Sequence, residues 1–207
     1  MFKDILDNIT KLASDGRFEN HAREAYKEFE RRAGMIYTDD ISYEAKMTSF
    51  LEWFAFTRPV TEAGQTILDL YRVEQARGSD LELALIDALK QSLHDVFLVK
   101  SSRAGVVKAT ALYRNENLYL YEDERAAMLR KGDLFEGRAA EYDKRWFLTN
   151  GFCHHPSSAV KFIKNEMKRL RKAGQSADDF MFQLAGMSSR WERSRQIEVG
   201  QIYKAAG

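Results

Sequence analysis

The hydrophobic period of this chain changes twice, and no other feature of the sequence constrains its fold as much. Up to about Ser92 apolar residues recur every three or four positions, from Val96 they fall into short β-prone runs, and after Pro156 the helical spacing returns. A chain patterned this way places a small β-module inside a helical protein. The change is sharpest between Lys131 and Pro156, KGDLFEGRAAEYDKRWFLTNGFCHHP, where strand-like alternation gives way to a new helix start.

With 207 residues, 44% of them hydrophobic, the chain can fill a real core. Two prolines and 12 glycines against 30% charged residues point to a helix-rich protein with short connections. No apolar run approaches the roughly 20 residues that span a bilayer. The start, MFKDILDNITKLASDG, alternates charged and apolar residues, as an amphipathic first helix does and a secretory signal does not. Cys153 is the only cysteine, so no intrachain disulfide forms and the expected compartment is the cytoplasm. The net charge of +1 hides a division. Through Leu89 there are 11 Lys/Arg against 17 Asp/Glu, a charge of −6, and from Lys90 onward the balance is +7. Such asymmetry draws an anionic partner to the second half or holds the two halves together.

Phe2, Ile5, Leu6, Ile9 and Leu12 share one helical face, and Gly16 follows where that helix ends. A second helix carries Ala22, Tyr26, Phe29 and Ala33 before Gly34. Thr38, Asp39 and Asp40 suit a third helix start, with acidic groups at the positive end of the helix dipole, and Pro59 stops that helix soon after Phe56. Its last turns, with Phe50, Leu51, Trp53, Phe54 and Phe56, are apolar nearly all round. They form a buried segment or an interface, and Trp53, Phe54 and Phe56 are the candidate interaction residues. Thr66 caps a fourth helix with Ile67, Leu70 and Tyr71 facing inward until Gly78. Ser79-Asp80-Leu81-Glu82 reads as a capping box opening a fifth, to about Ser92.

Beyond it, Val96, Leu98, Val106, Val107, Ala111, Tyr113, Leu118, Leu120, Leu134, Trp146 and Leu148 lie in about five strands. The turns between them are Ser101 to Gly105, Asn115-Glu116-Asn117, Lys131-Gly132-Asp133 and Tyr142-Asp143-Lys144. Residues 123–130 read as a helical turn or two. Pro156-Ser157-Ser158 restarts helix, with Val160, Ile163, Met167 and Leu170 on one face before Gly174. Ser176 to Asp179 opens another with Phe180, Leu184 and Met187, and a last helix carries Trp191, Ile202 and Tyr203. The expected fold is therefore α+β. It has a helical region over 1–92, a five-stranded barrel or curled antiparallel sheet over 93–155, and C-terminal helices over 156–207 packed on the rest.

Phe50 to Tyr71, FLEWFAFTRPVTEAGQTILDLY, together with the block from Lys131 to Pro156, resembles a poorly characterised group of bacterial proteins. These join a helical N-terminal part to a small β-module, and some carry a C-terminal SEC-C zinc tail. The matching positions are Trp53, Phe54, Arg58, Pro59 and Thr66, then Gly132, Asp133, Arg138, Trp146 and Pro156. About half the chain is covered. The resemblance implies an architecture and no activity, and without a cysteine-rich tail it carries over no zinc site.

Cys153, His154 and His155 form the one cluster of soft and imidazole ligands. Neighbours on extended backbone point to opposite faces, so a metal there needs His94 or distant carboxylates to complete its sphere, and the sequence favours a plain strand-to-helix junction. A Cys-His nucleophile also lacks a placed base and orienting group. No phosphate-binding glycine motif is present. Asp39-Asp40 and Asp178-Asp179 are accounted for by helix starts, and Glu166-x-Lys168 lies on a helix rather than on a nuclease-type strand. What remains is a non-catalytic interaction or structural module without a cofactor, with a protein partner or a second copy as its ligand. The alternative is nucleic-acid binding through the basic helix 157–172, by Lys161, Lys164, Lys168, Arg169, Arg171 and Lys172, extended by Lys144 and Arg145. Tyr119, Tyr121, Phe135, Trp146 and Phe147 would be the base-stacking aromatics.

Overall fold

A computed structural model of the chain describes residues 2–75, 78–121 and 129–204. Five helices come first: α1 (Lys3–Ala13), α2 (Glu19–Ala33), α3 (Tyr43–Phe56), α4 (Ile67–Glu74) and α5 (Asp80–Lys90). Five strands follow, β1 (Leu93–Arg103), β2 (Val106–Ala111), β3 (Glu116–Tyr121), β4 (Leu134–Tyr142) and β5 (Arg145–His155). Helices α6 (Val160–Lys172), α7 (Asp178–Arg193) and α8 (Val199–Ile202) complete the α+β fold. Among the described residues no helix is long and apolar enough to cross a membrane. The helical turn expected over 123–130 lies, apart from its last two residues, outside the described residues.

Local chemistry explains most boundaries. Thr66 and Asp69 form a reciprocal capping box at α4, and the Ser79 hydroxyl accepts from the Glu82 amide at α5. Two-residue hairpin turns at Ala104-Gly105 and Asp143-Lys144 have all four residues at positive φ, the geometry that matches strand twist. The turn between β2 and β3 bends at Asn115 (φ 62°), and Glu116 and Asn117 already belong to β3. Trp191 completes α7 rather than the last helix.

The third helix starts at Tyr43, five residues beyond the expected Thr38. Asp39 and Asp40 bind cations across the molecule instead of capping it. Arg193 reaches Asp39 Oδ1 at 3.0 Å and Asp40 Oδ1 at 2.5 Å, and Lys46 reaches Asp40 Oδ2 at 2.7 Å.

The strands run round a ring in the order β1, β2, β3, β5, β4. All seams are antiparallel except that between β3 and β5. There β3 meets β5 in parallel through the pair Leu120 and Trp146, so the sheet is mixed and curls into a barrel closed at one bridge. Phe97, Val99, Val107, Leu118, Leu120, Phe135 and Leu148 fill the interior. On the outer face, Val96, Leu98 and Leu134 pack under α6, α7 and α8, and Ala140 joins the N-terminal helical core. Helices on the outside and a filled interior bury both faces of β1 and β4, which explains their nearly continuous burial.

The N-terminal helices dock onto the barrel where the β4–β5 ladder is irregular. Between Gly137 and Ala139 of β4 the partner changes from Phe152 to Leu148, so β5 carries extra residues there. The Glu52 carboxylate of α3 accepts from the Asn150 and Gly151 amides at 2.7 and 2.8 Å and from the Thr149 hydroxyl at 2.7 Å. The buried acid therefore accepts from two backbone amides at the bulge and ties α3 to it.

Candidate functional site

Helices α2, α3 and α7 and strands β4 and β5 enclose a cavity of about 50 Å³, room for a few waters or a compact ligand. Phe29, Trp53 and Phe182 form an apolar wall, their rings meeting at 5.5–5.7 Å between centroids. The polar side comes from the outer face of the barrel and includes His94, Glu136 and Cys153.

Strand register assembles the polar groups. Glu136 of β4 pairs with Cys153 of β5, and Leu134 with His155, so Cys153 and His155, two apart on one strand, share a face with Glu136. One ligand atom from each of the three lies within 4.8 Å of the other two. His94 Nε2 lies 3.0 Å from Glu136 Oε1, and the Tyr203 hydroxyl lies 3.1 Å from His155 Nδ1. Glu136 Oε2 and His155 Nε2 are the buried side-chain polar atoms among the described residues that have no hydrogen-bond partner. Burial, reinforced by Glu136, pushes the Cys153 thiol up to about 12, and burial, then His154, lowers His155 to about 3. His154 alternates to the other side and is exposed, its ring against Phe135 and Phe152.

A second concavity is a surface groove of about 680 Å³ along α7, bordered by the α2–α3 linker and α8. Of the seven large apolar side chains exposed among the described residues, Met35, Tyr37 and Ile41 lie in that linker and Ile197 in the α7–α8 linker. Ile41 is 95% exposed. Arg193 holds the rim by pairing with Asp39 and Asp40 and stacking 4.0 Å from the Tyr37 ring centroid. Beneath it, Lys46 bridges Asp40 at 2.7 Å and Glu192 at 2.9 Å, and Glu192 accepts from the Ser42 amide and hydroxyl. Arg190 and Lys204 line the groove without an acidic partner among the described residues.

The structure separates the residues proposed from sequence. Trp53 and Phe54 are 8% and 0% exposed, inside the N-terminal core, and Phe56 is half-buried with Arg138 over its ring. These aromatics pack in the chain's own core, as the first of the two readings the sequence left open, a buried segment or an interface, would have them. On α6, Lys161, Lys164, Lys168 and Lys172 project into solvent along one face. Arg169 is paired with Glu166 at 2.8 Å. Arg171 is structural, donating to the carbonyls of Leu112 and Tyr113 at 3.2 and 3.0 Å.

Lys144 and Arg145 do not extend that face. They sit at the β4–β5 turn, the far end of a nine-residue strand whose first residue, Leu134, packs in the α6 cluster. At about 3.3 Å per residue the two ends are about 26 Å apart. Of the aromatics, Phe135 is inside the barrel, Tyr119 is exposed, and Tyr121 takes the Arg145 guanidinium over its ring. The linker patch and the third member of the buried cluster were missed. Met35, Tyr37 and Ile41, apolar residues in a segment without helical or strand periodicity, were a readable signal for the first; only ladder register reveals Glu136.

No curated protein and no solved structure matches the chain. A family model does match, over residues 1–185, from the N-terminus into α7, so the chain belongs to DUF7986, a family of unknown function.

Proposed function

We propose that the protein is an interaction module that docks an acidic, amphipathic segment of a partner protein in the groove along α7. The observation that carries this reading is that exposed Met35 and Tyr37 line one side of the groove, while Ile197 lines the adjoining concavity that shares Arg190, Ser194, Gln201, Ile202 and Lys204 with it. Exposed apolar side chains scattered singly need no explanation, but a cluster beside a concavity suits a partner. Arg190 and Lys204 select the partner's charge, and the Arg193 network holds the rim before binding, which lowers the ordering cost. The proposed setting is the bacterial cytoplasm, which the lone free Cys153 supports.

Fluorescence anisotropy with labelled peptides tests this. An acidic amphipathic peptide should bind, its Lys-substituted counterpart should not, and Met35→Asp or the pair Arg190→Glu and Lys204→Glu should weaken binding at least tenfold without changing the circular dichroism. Equal binding of both peptides, no binding, or a dimer in light scattering that Met35→Asp dissociates would each overturn it; the last outcome assigns the groove to a second copy of the chain.

The exposed lysine stripe of α6 favours a second reading, single-stranded nucleic-acid binding, now confined to Lys161, Lys164, Lys168 and Lys172. Four phosphate contacts predict a log–log salt slope of about −3 for single strands. Lys164→Glu with Lys168→Glu should abolish a low-salt mobility shift, and absence of any shift with the unaltered protein sinks the reading.

A further inference from the structure

We propose that Glu136, Cys153 and His155 bind a zinc-type divalent transition metal, with a fourth coordination position facing the cavity between the barrel and α2, α3 and α7. This site is independent of the α7 groove.

The donor set is the first argument. A thiolate, an imidazole and a carboxylate are the three side-chain classes that hold zinc, and three protein ligands with one open position is the arrangement of reactive or exchangeable zinc sites rather than closed structural ones. Bonds of roughly 2.0–2.3 Å separate tetrahedral ligand atoms by roughly 3.3–3.8 Å, so atoms already within 4.8 Å need only side-chain rotation to close on an ion. The carboxylate and thiolate together offset the ion's two positive charges. The thiol proton leaves on binding: the S–H bond breaks, an S–metal bond forms, and the proton passes to solvent.

The orphaned atoms are the second argument. Glu136 and His155 are 8% and 6% exposed, yet Glu136 Oε2 and His155 Nε2 have no partner. An unsatisfied buried polar atom costs about 1–3 kcal/mol, so two on neighbouring strands, on the same face as a thiol, call for a shared partner. One cation satisfies both.

The surroundings are the third. Each orphaned residue is already held through its other polar atom, Glu136 Oε1 by His94 and His155 Nδ1 by Tyr203, the outer contacts that fix orientation and tautomer in metal sites. Ser188 is also close, its hydroxyl donating to the His154 carbonyl at 2.7 Å. The cavity borders the cluster at Glu136, Cys153 and His94, which leaves the open position toward Trp53 and Phe182. The helices therefore shield the ion from bulk water on the side where a small ligand would bind it.

The experiment uses the full chain, stripped with a chelator under reducing conditions and titrated with Zn²⁺ or Co²⁺. One equivalent should bind, with proton release that scales with buffer ionisation heat. The Co²⁺ form should show thiolate-to-metal charge-transfer absorption and the intense visible bands of four-coordinate cobalt. Cys153→Ser should abolish the charge-transfer band and weaken binding at least a hundredfold. Tyr203→Phe should weaken it about tenfold, and His154→Ala should leave it unchanged. Should Cys153→Ser fail to fold, Glu136→Gln gives the same expected loss of affinity. Sub-stoichiometric or no binding, a Co²⁺ spectrum without the charge-transfer band, or equal loss in His154→Ala overturns the assignment.

Discussion

Lys46 is almost fully buried between Asp40 and Glu192, while the outer oxygen of Asp40 takes Arg193. Burial by itself raises both carboxylates, but the hydrogen bonds from Lys46, with Arg193 on Asp40 and Ser42 on Glu192, outweigh it and hold both below the ordinary range. A folded value below the unfolded one gives stability that is fully present above about pH 4 and is lost as pH falls through the folded value. The midpoint of urea unfolding should therefore drop on acidification below about pH 4. Lys46→Met leaves two buried carboxylates without their ammonium and should cost about 3–5 kcal/mol at neutral pH. That deficit should narrow below pH 4, where protonation relieves the unpaired charge. A pH-independent deficit would mean that Lys46 acts through packing. On α6, Arg171→Ala should cost about 1–3 kcal/mol, because it frees two carbonyls of the β2–β3 turn, whereas Lys168→Ala should stay within about 0.5 kcal/mol. Thermal denaturation of the two variants side by side checks the distinction. Nothing in the charge pattern of KRLRK separates these residues, because carbonyl acceptors 58 and 59 positions away are invisible in one dimension.

Elements approach most closely where glycine permits it. A Cβ on Gly151 would lie 2.8 Å from Glu52 Oε2 and 3.1 Å from the Ser49 Cα, so α3 rests directly on the β5 bulge. Gly151→Ala should push α3 off the strand and cost about 1–3 kcal/mol in denaturant unfolding. It should also raise exchange of the Asn150 and Gly151 amides. In α7, a Cβ on Gly186 would meet the Ala33 carbonyl at 2.7 Å, the contact that brings α2 against α7. The elements themselves were legible where short-range chemistry decides them: Thr66-x-x-Asp69, Ser79-x-x-Glu82, the hairpin turns, and alternation along β2 and β3. The start of α3 was misplaced because an Asp pair that suits a helix dipole serves distant Arg193 and Lys46 better. The seam between β3 and β5 is parallel for a related reason. Alternation gives each strand two faces but says nothing of which edge meets which, so Leu120 against Trp146 is set by closure of the ring.

At the scale of the whole molecule, the barrel and the helices share their contacts. Glu52 links α3 to β5, Phe182 of α7 joins Phe29 and Trp53 of α2 and α3, and Ala140 of β4 belongs to the N-terminal core. The chain should therefore unfold in one transition, with far-ultraviolet circular dichroism and tryptophan fluorescence giving the same midpoint; two separated transitions would show the β-module standing alone. Sequence by itself determined the fold class, the number and order of most elements and the presence of a β-module between helices, because period, caps and turns are local properties that a chain carries wherever it goes. Tertiary structure alone decided which aromatics are core, which cations are free, and that Glu136 meets Cys153 and His155. Those depend on strand register and docking, where a shift of one residue turns each side chain to the opposite face.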